Sequence, residues 1–401
     1  MNNMKTVFFI AGLFSLALFT TGCNDFFGNK TDVSFIDIPD YQNKPIAYVP
    51  IQPVLDQFVQ PTDVLAGFDE LVYVADHGRE QIIGLDQSGR ELYSFDVPGV
   101  RSITQDRRLN LLAIGTKDTV INGNAYTFSC IYRIDLQGVF GYGLSHARIT
   151  SEIVHPFYLK NSFSSSDFDV KFEDIAVIGE NEFYVSRSGL SNNTNQFGGP
   201  DNAVLLFDAD DNYITPISIT TRGGVFKDFF KTPTGMASFA QPPQISASNS
   251  RNFVFTSMDQ GSDNLYKVRQ ISFNETDFGV EYNPNDILPL DSSKADGSIN
   301  DPGKFLEPVD VTLTGDGTGY IFVVDQAKDS VYQFTTNGLE GIKPPPGTGL
   351  TKYVKVSFGG KGIELTQFNK PMAVAYLNQI LYVADSGNGR VLRFKLTSDF
   401  K

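Results

Sequence analysis

The chain has no tryptophan, two cysteines and three histidines in 401 residues. Two cysteines do not make a disulfide framework. The histidines are His77, His146 and His155, and no two share a metal-ligand spacing such as His-x3-His. Without tryptophan, a carbohydrate platform would have to rely on tyrosine. Basic residues are outnumbered: 32 Lys and Arg face 46 Asp and Glu, for a formal net charge of -14. That balance excludes nucleic acid as a partner, because phosphates require a basic face. Catalytic signatures are missing too. There is no Gly-x-Ser-x-Gly elbow. In Gly143-Leu144-Ser145-His146 the Ser and His are adjacent, so on a strand they point to opposite faces. No glycine-rich loop leads into a helix that could hold a phosphate. Helical periodicity is nearly absent beyond the N-terminus, and no composition break divides the chain.

What the chain does have is a repeated phrase. Phe58-x-x-Pro61-x-x-Val64 precedes Val72-Tyr73-Val74-Ala75-Asp76, and Phe368-x-x-Pro371-x-x-Val374 precedes Leu381-Tyr382-Val383-Ala384-Asp385. The spacing returns at Phe305, Pro308 and Val311 before Ile321-Phe322-Val323-Val324-Asp325, and at Phe239, Pro242 and Ile245 before Phe253-Val254-Phe255. A period of this size means a propeller or solenoid. The first unit reads as four strands, Pro61 to Leu65, Leu71 to Ala75, Gln81 to Asp86 and Glu91 to Val97, joined by short polar turns. Four antiparallel strands make one propeller blade. The Val-Tyr-Val strand is apolar on both faces because blades stack on both sides of it. Second strands near Tyr73, Leu112, Tyr184, Val254, Phe322 and Tyr382 count six blades, with a seventh left open in the gaps around the third and fourth. The expected fold is thus all-β, a six-bladed β-propeller. After Arg390 the chain completes a third strand and stops. An open edge is avoided by proteins, so an N-terminal strand, Val33 to Ile38 or Ile46 to Ile51, is expected to close the ring.

Leu381 to Val391, with Ser386-Gly387-Asn388-Gly389-Arg390 in its turn, resembles the signature of NHL-repeat propellers (NHL/TolB-like type). Phe358-Gly359-Gly360-Lys361-Gly362 and Gln367-Phe368-Asn369-Lys370-Pro371 match the stretch leading into it. Two blades carry specific motifs; the middle blades diverge and hold long insertions.

At the N-terminus, Lys5 precedes an apolar run from Val7 to Phe19, shorter than the ~20 residues of a membrane span. Thr20-Thr21-Gly22-Cys23 then resembles the lipobox of bacterial lipoproteins, with Thr20 where that pattern expects Leu. The resemblance implies cleavage before Cys23 and acylation of its thiol and new amine. Several acyl chains form a durable anchor. The domains are then residues 1–22, a signal peptide; 23–45, the lipidated Cys and tether; and 46–401, the propeller. With Cys23 acylated, Cys130 has no disulfide partner and reads as a small buried hydrophobe in a strand. In the lipoproteins this segment resembles, Asp after the Cys holds the protein in the inner membrane, so the resemblance implies the outer membrane for Asn24, and the Phe- and Asn-rich composition resembles lipoproteins of Bacteroidota. Whether the protein faces the periplasm or the outside is left open.

Asp76, Asp325 and Asp385 end equivalent strands. The family resemblance implies that this Asp lies near one mouth of the ring, paired with the Arg after the turn, as Arg390 and Arg79 would be. Asp side chains at such positions also bond the turn's backbone amides. Arg187 stands where other blades have Asp, and could grip a carboxylate, a phosphate or a peptide end, or lock the blades together. Asp76, His77, Arg79, Arg187, Asp325, Asp385 and Arg390 are therefore the candidate channel-mouth binding residues. Insertions at Tyr142 to Phe172 and Leu190 to Asn202 are expected to rise from the ring as binding loops. Asp208-x-Asp210-Asp211-Asn212 lacks the Gly and distal Glu of a calcium loop and reads as a hairpin turn.

The functional reading is an envelope-anchored, non-catalytic propeller scaffold that binds a protein, peptide or small ligand at one mouth, with the membrane as partner through the lipid and no cofactor. One alternative is a hydrolase resembling the calcium-dependent gluconolactonase propellers, whose acidic ligands would include Glu173 and Asp174. Another is a carbohydrate-binding surface protein.

Overall fold

The computed structural model describes residues 46–241, 249–258, 266–277, 279–285, 291–345 and 348–399. The leader, Cys23, the tether and the candidate strand Val33 to Ile38 lie outside these residues.

The described chain folds into six sheets arranged as blades, plus one small hairpin. The first blade holds Pro61–Ala66, Val72–Asp76, Gln81–Leu85 and Glu91–Asp96, antiparallel in chain order. The second is Ser102–Gln105, Leu111–Ile121, Asn124–Asp135 and Arg148–Val154; the third is Lys171–Val177, Phe183–Ser188, Ala203–Phe207 and Tyr213–Pro216. The fourth is built on Pro233–Ser238, Phe253–Ser257, Val268–Thr276 and Gly279–Pro284, and the fifth on Pro308–Leu313, Ile321–Asp325, Ser330–Phe334 and Phe358–Gly359. In the sixth, Pro371–Leu377, Ile380–Asp385 and Arg390–Leu396 are joined by Tyr48–Leu55 from the N-terminal side. The chain is a six-bladed β-propeller, with the closing strand in the second of the two stretches expected to supply it.

The second strands explain themselves. Val72–Asp76 is buried along its whole length. Its side chains alternate between faces: Val72 and Val74 pack with the sixth blade, while Tyr73 and Ala75 pack with the second. The same division recurs around the ring, giving one apolar cluster at each of the six seams between blades.

At the sixth seam the closing strand pairs antiparallel with the last one, from Tyr48 opposite Leu396 to Leu55 opposite Val391. The Tyr48 ring meets Phe322 edge-on at 5.7 Å and stacks on Phe358 at 5.8 Å. Arg393 binds the Gln87 and Ser88 carbonyls at 3.2 and 2.7 Å and the Pro53 carbonyl at 3.0 Å, tying the first and last blades together.

Three readings are corrected. The inner strand of the fourth blade is Pro233–Ser238, so its phrase is Phe230, Pro233 and Met236, not Phe239, Pro242 and Ile245. The fourth blade also extends beyond four strands: Ile219–Thr221 adds in parallel beside Gly279–Pro284, and Gly224–Phe226 pairs outside it. The stretch from Tyr142 to Phe172 is not a single loop, because it contains the outer strand of the second blade, Arg148–Val154. Cys130 lies buried in a strand, its thiol pushed up to about 12 by burial.

Candidate functional site

The first strand of each blade lines the central channel. Its upper end carries the Pro of the repeated phrase in the first, fourth, fifth and sixth blades, and its lower end leads into the turn to the second strand. The register breaks between Pro61 and Asp63, Phe172 and Asp174, and Pro308 and Asp310. Such a bulge re-aims a side chain. Around the ring the equivalent position holds Asp63, Ser102, Asp174, Gly235, Asp310 and Ala373, so carboxylates alternate with small residues.

Each carboxylate bridges to the next blade. Asp63 accepts the Val64 and Ile103 amides, both at 2.7 Å, and Asp310 accepts the Val311 and Val374 amides, both at 2.7 Å. Asp174 accepts the Ser102 hydroxyl at 2.5 Å and the Met236 amide. The small residues between them leave the room these carboxylates fill. All three are held above the ordinary carboxylate range, mainly by burial. Asp63 is raised to about 6, and Asp174 to about 7 with repulsion from Asp63 added. Asp310 is also raised, by burial and by repulsion from Asp63 and Asp174. Backbone amides favour the ionised form but do not overcome these terms.

This acidic ring separates two chambers. The lower one is narrow, about 60 Å³, between residues such as Leu65, Leu313 and Tyr376. The upper one opens at the mouth, with a volume of about 260 Å³. One part of its wall is polar, with Gln60, His77, Arg101 and Glu173, and another is lined by Met258, Val309 and Met372. The His77 ring nitrogen Nδ1 lies 3.0 Å from the Val100 carbonyl. A carbonyl only accepts, so Nδ1 carries the proton and, in the neutral ring, Nε2 is left as an acceptor. Glu173 accepts the Ser188 hydroxyl at 2.5 Å. Arg101 is exposed, and its guanidinium makes no hydrogen bond or ion pair with another described residue.

Of the seven residues expected at the mouth, His77 lines this chamber. Asp76, Asp325 and Asp385 are fully buried. Asp76 accepts the Val59 and Gln60 amides at 2.8 Å each and Gly78 at 3.1 Å. Asp325 accepts the amides of Leu306, Glu307, Ala327 and Lys328. Asp385 accepts the Asn369 amide and Arg390 Nε, both at 2.7 Å. The remaining Arg390 donors go to the Ile363, Glu364 and Gln367 carbonyls. Arg79 reaches the Gln57 carbonyl at 3.3 Å. Arg187 is 1% exposed and holds the carbonyls of Gly198, Pro200 and Asp201 and the Tyr158 hydroxyl. These groups bind turns and an insertion.

Sequence reasoning missed Asp63, Arg101 and Asp310 and singled out Asp174 only as a metal ligand. The signal was the position two after the phrase's Pro, where Asp, Gly and Ala differ between blades. Among the described residues no group of three or more His, Cys, Asp or Glu is placed to hold a metal. Asp208 bonds the amides of Asp210 and Asn212 in its own turn.

No protein-family model matches the chain, and no curated protein sequence does. Solved structures do resemble it. A Bacteroides thetaiotaomicron protein of unknown function has a TM-score of 0.50 at 11% identity over 87% of this chain and 72% of that one. A gluconolactonase from Xanthomonas campestris has a TM-score of 0.47 at 9% identity over 88% and 94%. An auxiliary nutrient binding protein from Bacteroides ovatus has a TM-score of 0.47 at 11% identity over 87% and 72%. At such identities the likeness is one of fold, and it agrees with the propeller built above.

Proposed function

We propose that the protein is an envelope lipoprotein whose propeller binds, without chemistry, a small amphipathic ligand carrying an acidic group in the upper chamber. The observation that carries this reading is an Arg101 guanidinium with no partner among the described residues, at the lip of a chamber walled partly by methionine. Arginine matches a carboxylate with two parallel hydrogen bonds, and methionine adapts to irregular apolar shapes. The volume suits a small molecule or the end of a peptide. Sugar binding has less support, because among the described residues His77 is the one ring in the chamber's lining. Anchorage would be through Cys23, with the outer membrane as the expected site, in an NHL-type propeller.

The test is a melting screen against small organic acids with apolar substituents. Ligands that bind the native state raise the melting temperature by mass action. They should do so for the wild type and for Arg90→Gln, a change at an exposed turn arginine, but not for Arg101→Gln. Equal shifts in both variants would sink the assignment.

A second reading keeps the calcium-dependent lactonase-like hydrolase, because Glu173 and Asp174 both line the upper chamber. It predicts tightly bound calcium in the purified protein and a melting temperature that falls with chelator.

A further inference from the structure

The two faces of the ring differ in what they offer. The upper face holds the chamber. On the lower face, the connection between the third and fourth strands of the second blade carries a small hairpin, Gln137–Gly138 paired with Gly141–Tyr142. Its tip is Val139 and Phe140, which are 91% and 93% exposed. The hairpin is held in place, not splayed from a loose loop. The Gly143 amide donates to the Leu136 carbonyl at 2.9 Å. The Tyr142 hydroxyl bonds Asp69 in the first blade and accepts from Gln105 at 3.4 Å. Gly141 lies on the His146 ring, where a Cβ would come within 2.7 Å of Nε2. The fold thus displays two adjacent apolar side chains on a braced turn, almost entirely in water.

The closing strand shows where the chain reaches the ring. Tyr48 pairs with Leu396 at the lower end of the sixth blade, and Leu55 with Val391 at the upper end. The chain therefore joins the propeller at its lower face, the face that carries the Val139–Phe140 tip.

We infer that the lower face rests on a phospholipid bilayer, with Val139 and Phe140 set into its headgroup region and the upper chamber turned away from the membrane. The inference rests on the proposed lipid anchor at Cys23, because the chain coming from that anchor enters the propeller at its lower face. A protein partner fits the tip less well. A specific interface takes about 800 Å² per partner, far more than two side chains at a turn present. An aromatic and an aliphatic side chain on a braced turn suit the boundary between headgroups and acyl chains. Among the described residues no helix is long and apolar enough to cross a membrane. The shallow groove beside the hairpin also holds Arg107 and Arg108, but Arg107 donates to the Ala240 carbonyl at 2.7 Å and Arg108 to that of Ala209 at 3.4 Å, so the apolar tip and not these charges makes the contact.

The natural absence of tryptophan provides the experiment. Full-length Phe140→Trp and Val59→Trp are each reconstituted into phosphatidylethanolamine–phosphatidylglycerol vesicles, and each contains a single indole. Val59 lies on the upper face and is 61% exposed. The inference expects the Phe140→Trp emission to shift to shorter wavelength and to lose at least half its intensity to brominated lipid, while Val59→Trp keeps a water-like spectrum. Water-like, unquenched Phe140→Trp in protein-bearing vesicles would overturn it, and so would equal quenching at both sites. The mass of the N-terminal peptide separately reads the anchor. An unmodified Cys23 defeats the anchor, whereas the quenching pair judges the tip. Val139→Asp with Phe140→Asp should leave the melting temperature unchanged and let a milder detergent wash release the protein from the vesicle surface; unchanged release would also count against the tip.

Discussion

Gly235 of the fourth blade lies against Asp310 of the fifth, where a Cβ would come within 2.6 Å of the Asp310 Cα and 2.5 Å of the Val309 carbonyl oxygen. Those neighbours are backbone atoms of an inner strand and cannot swing aside. The Gly235 amide also donates to the Thr256 hydroxyl at 2.9 Å, fixing the glycine's own strand. Gly235→Ala should therefore destabilise the ring by about 1–3 kcal/mol, as overpacking does. Urea unfolding is the measurement, with a lowered midpoint and unchanged slope expected. Ala373, at the equivalent position in the sixth blade, already has a Cβ, so Ala373→Gly should instead cost only about 0.5–1 kcal/mol of backbone entropy and lost packing.

The acidic ring should give the protein an unusual pH response. Asp63, Asp174 and Asp310 bind protons more tightly folded than unfolded. Between about pH 4, the unfolded carboxyl value, and the folded values near 6 to 7, the native state holds more protons than the unfolded one. Stability then falls as pH rises through this window. Buried His155 acts in the opposite direction: burial pushes it down to about 3, so below about 6.5 acid favours the unfolded state. The ring's part is isolated as the difference between wild type and Asp174→Asn. That difference in melting temperature should favour wild type at pH 5 and the variant at pH 8.

Asparagine should not be tolerated equally at the three positions. At Asp174 the Ser102 hydroxyl supplies one of the donors, and a hydroxyl can turn round and accept from an amide. Asp63 and Asp310 each face two backbone donors, so an asparagine NH2 would meet an N–H. Asp63→Asn and Asp310→Asn should each lose about 1–3 kcal/mol, the cost of a buried unsatisfied group. Denaturant midpoints at pH 8 would order the three variants, and an equal loss at Asp174→Asn would contradict the assignment of its partners.

The blades were legible because a strand buried on both faces is apolar along its length, as Val72–Asp76 and Ile321–Asp325 are up to their closing aspartate. The closing strand was legible as the strand missing from the last blade. The fourth blade was misread for a local reason: Phe230 and Pro233 recur nine residues later as Phe239 and Pro242, with the same spacing. The pairing of Pro233–Ser238 with Phe253–Ser257 and the packing of Gly235 against the fifth blade identify the first as the blade's inner strand; Pro242 and Ile245 lie outside the described residues. The acidic ring was not legible, because no neighbour in sequence shows what Asp63 does. Its partner amide, Ile103, lies 40 residues away, and that of Asp310 lies 64 away. Arg187 read as an unusual charge at a channel mouth, yet its three carbonyl partners come from the insertion after its own strand and its fourth, Tyr158, from the segment before it.

Closure of the ring should depend on Arg393. Its guanidinium joins three carbonyls from the closing strand and the first blade. Arg393→Met keeps much of the apolar stem but leaves those carbonyls without their donor. A loss of about 2–3 kcal/mol is expected, in the range of hydrogen bonds to charged groups. Hydrogen exchange should show the change first in Tyr48–Leu55 and Arg390–Leu396, ahead of the third blade across the ring. Uniform loss of protection in all blades would mean that the seam is no weaker than the rest.

Arg187 offers the sharpest contrast between a structural and a binding arginine. Its fork holds the Gly198, Pro200 and Asp201 carbonyls and the Tyr158 hydroxyl, pinning the insertion from Leu190 to Asn202 to its blade. Lysine keeps the charge but presents a point donor in place of a planar fork. Arg187→Lys should therefore free the insertion and destabilise the protein by about 2 kcal/mol or more, since truncated partners are left buried. Phe197, already exposed, would become a fast chymotrypsin site, and Asp201 would lose the order that lets it cap the Ser191 amide at 2.8 Å. Ligand-induced melting shifts in the upper chamber should survive in this variant while Arg101→Gln abolishes them. Loss of the shifts in Arg187→Lys, with cleavage at Phe197 unchanged, would return Arg187 to the binding site.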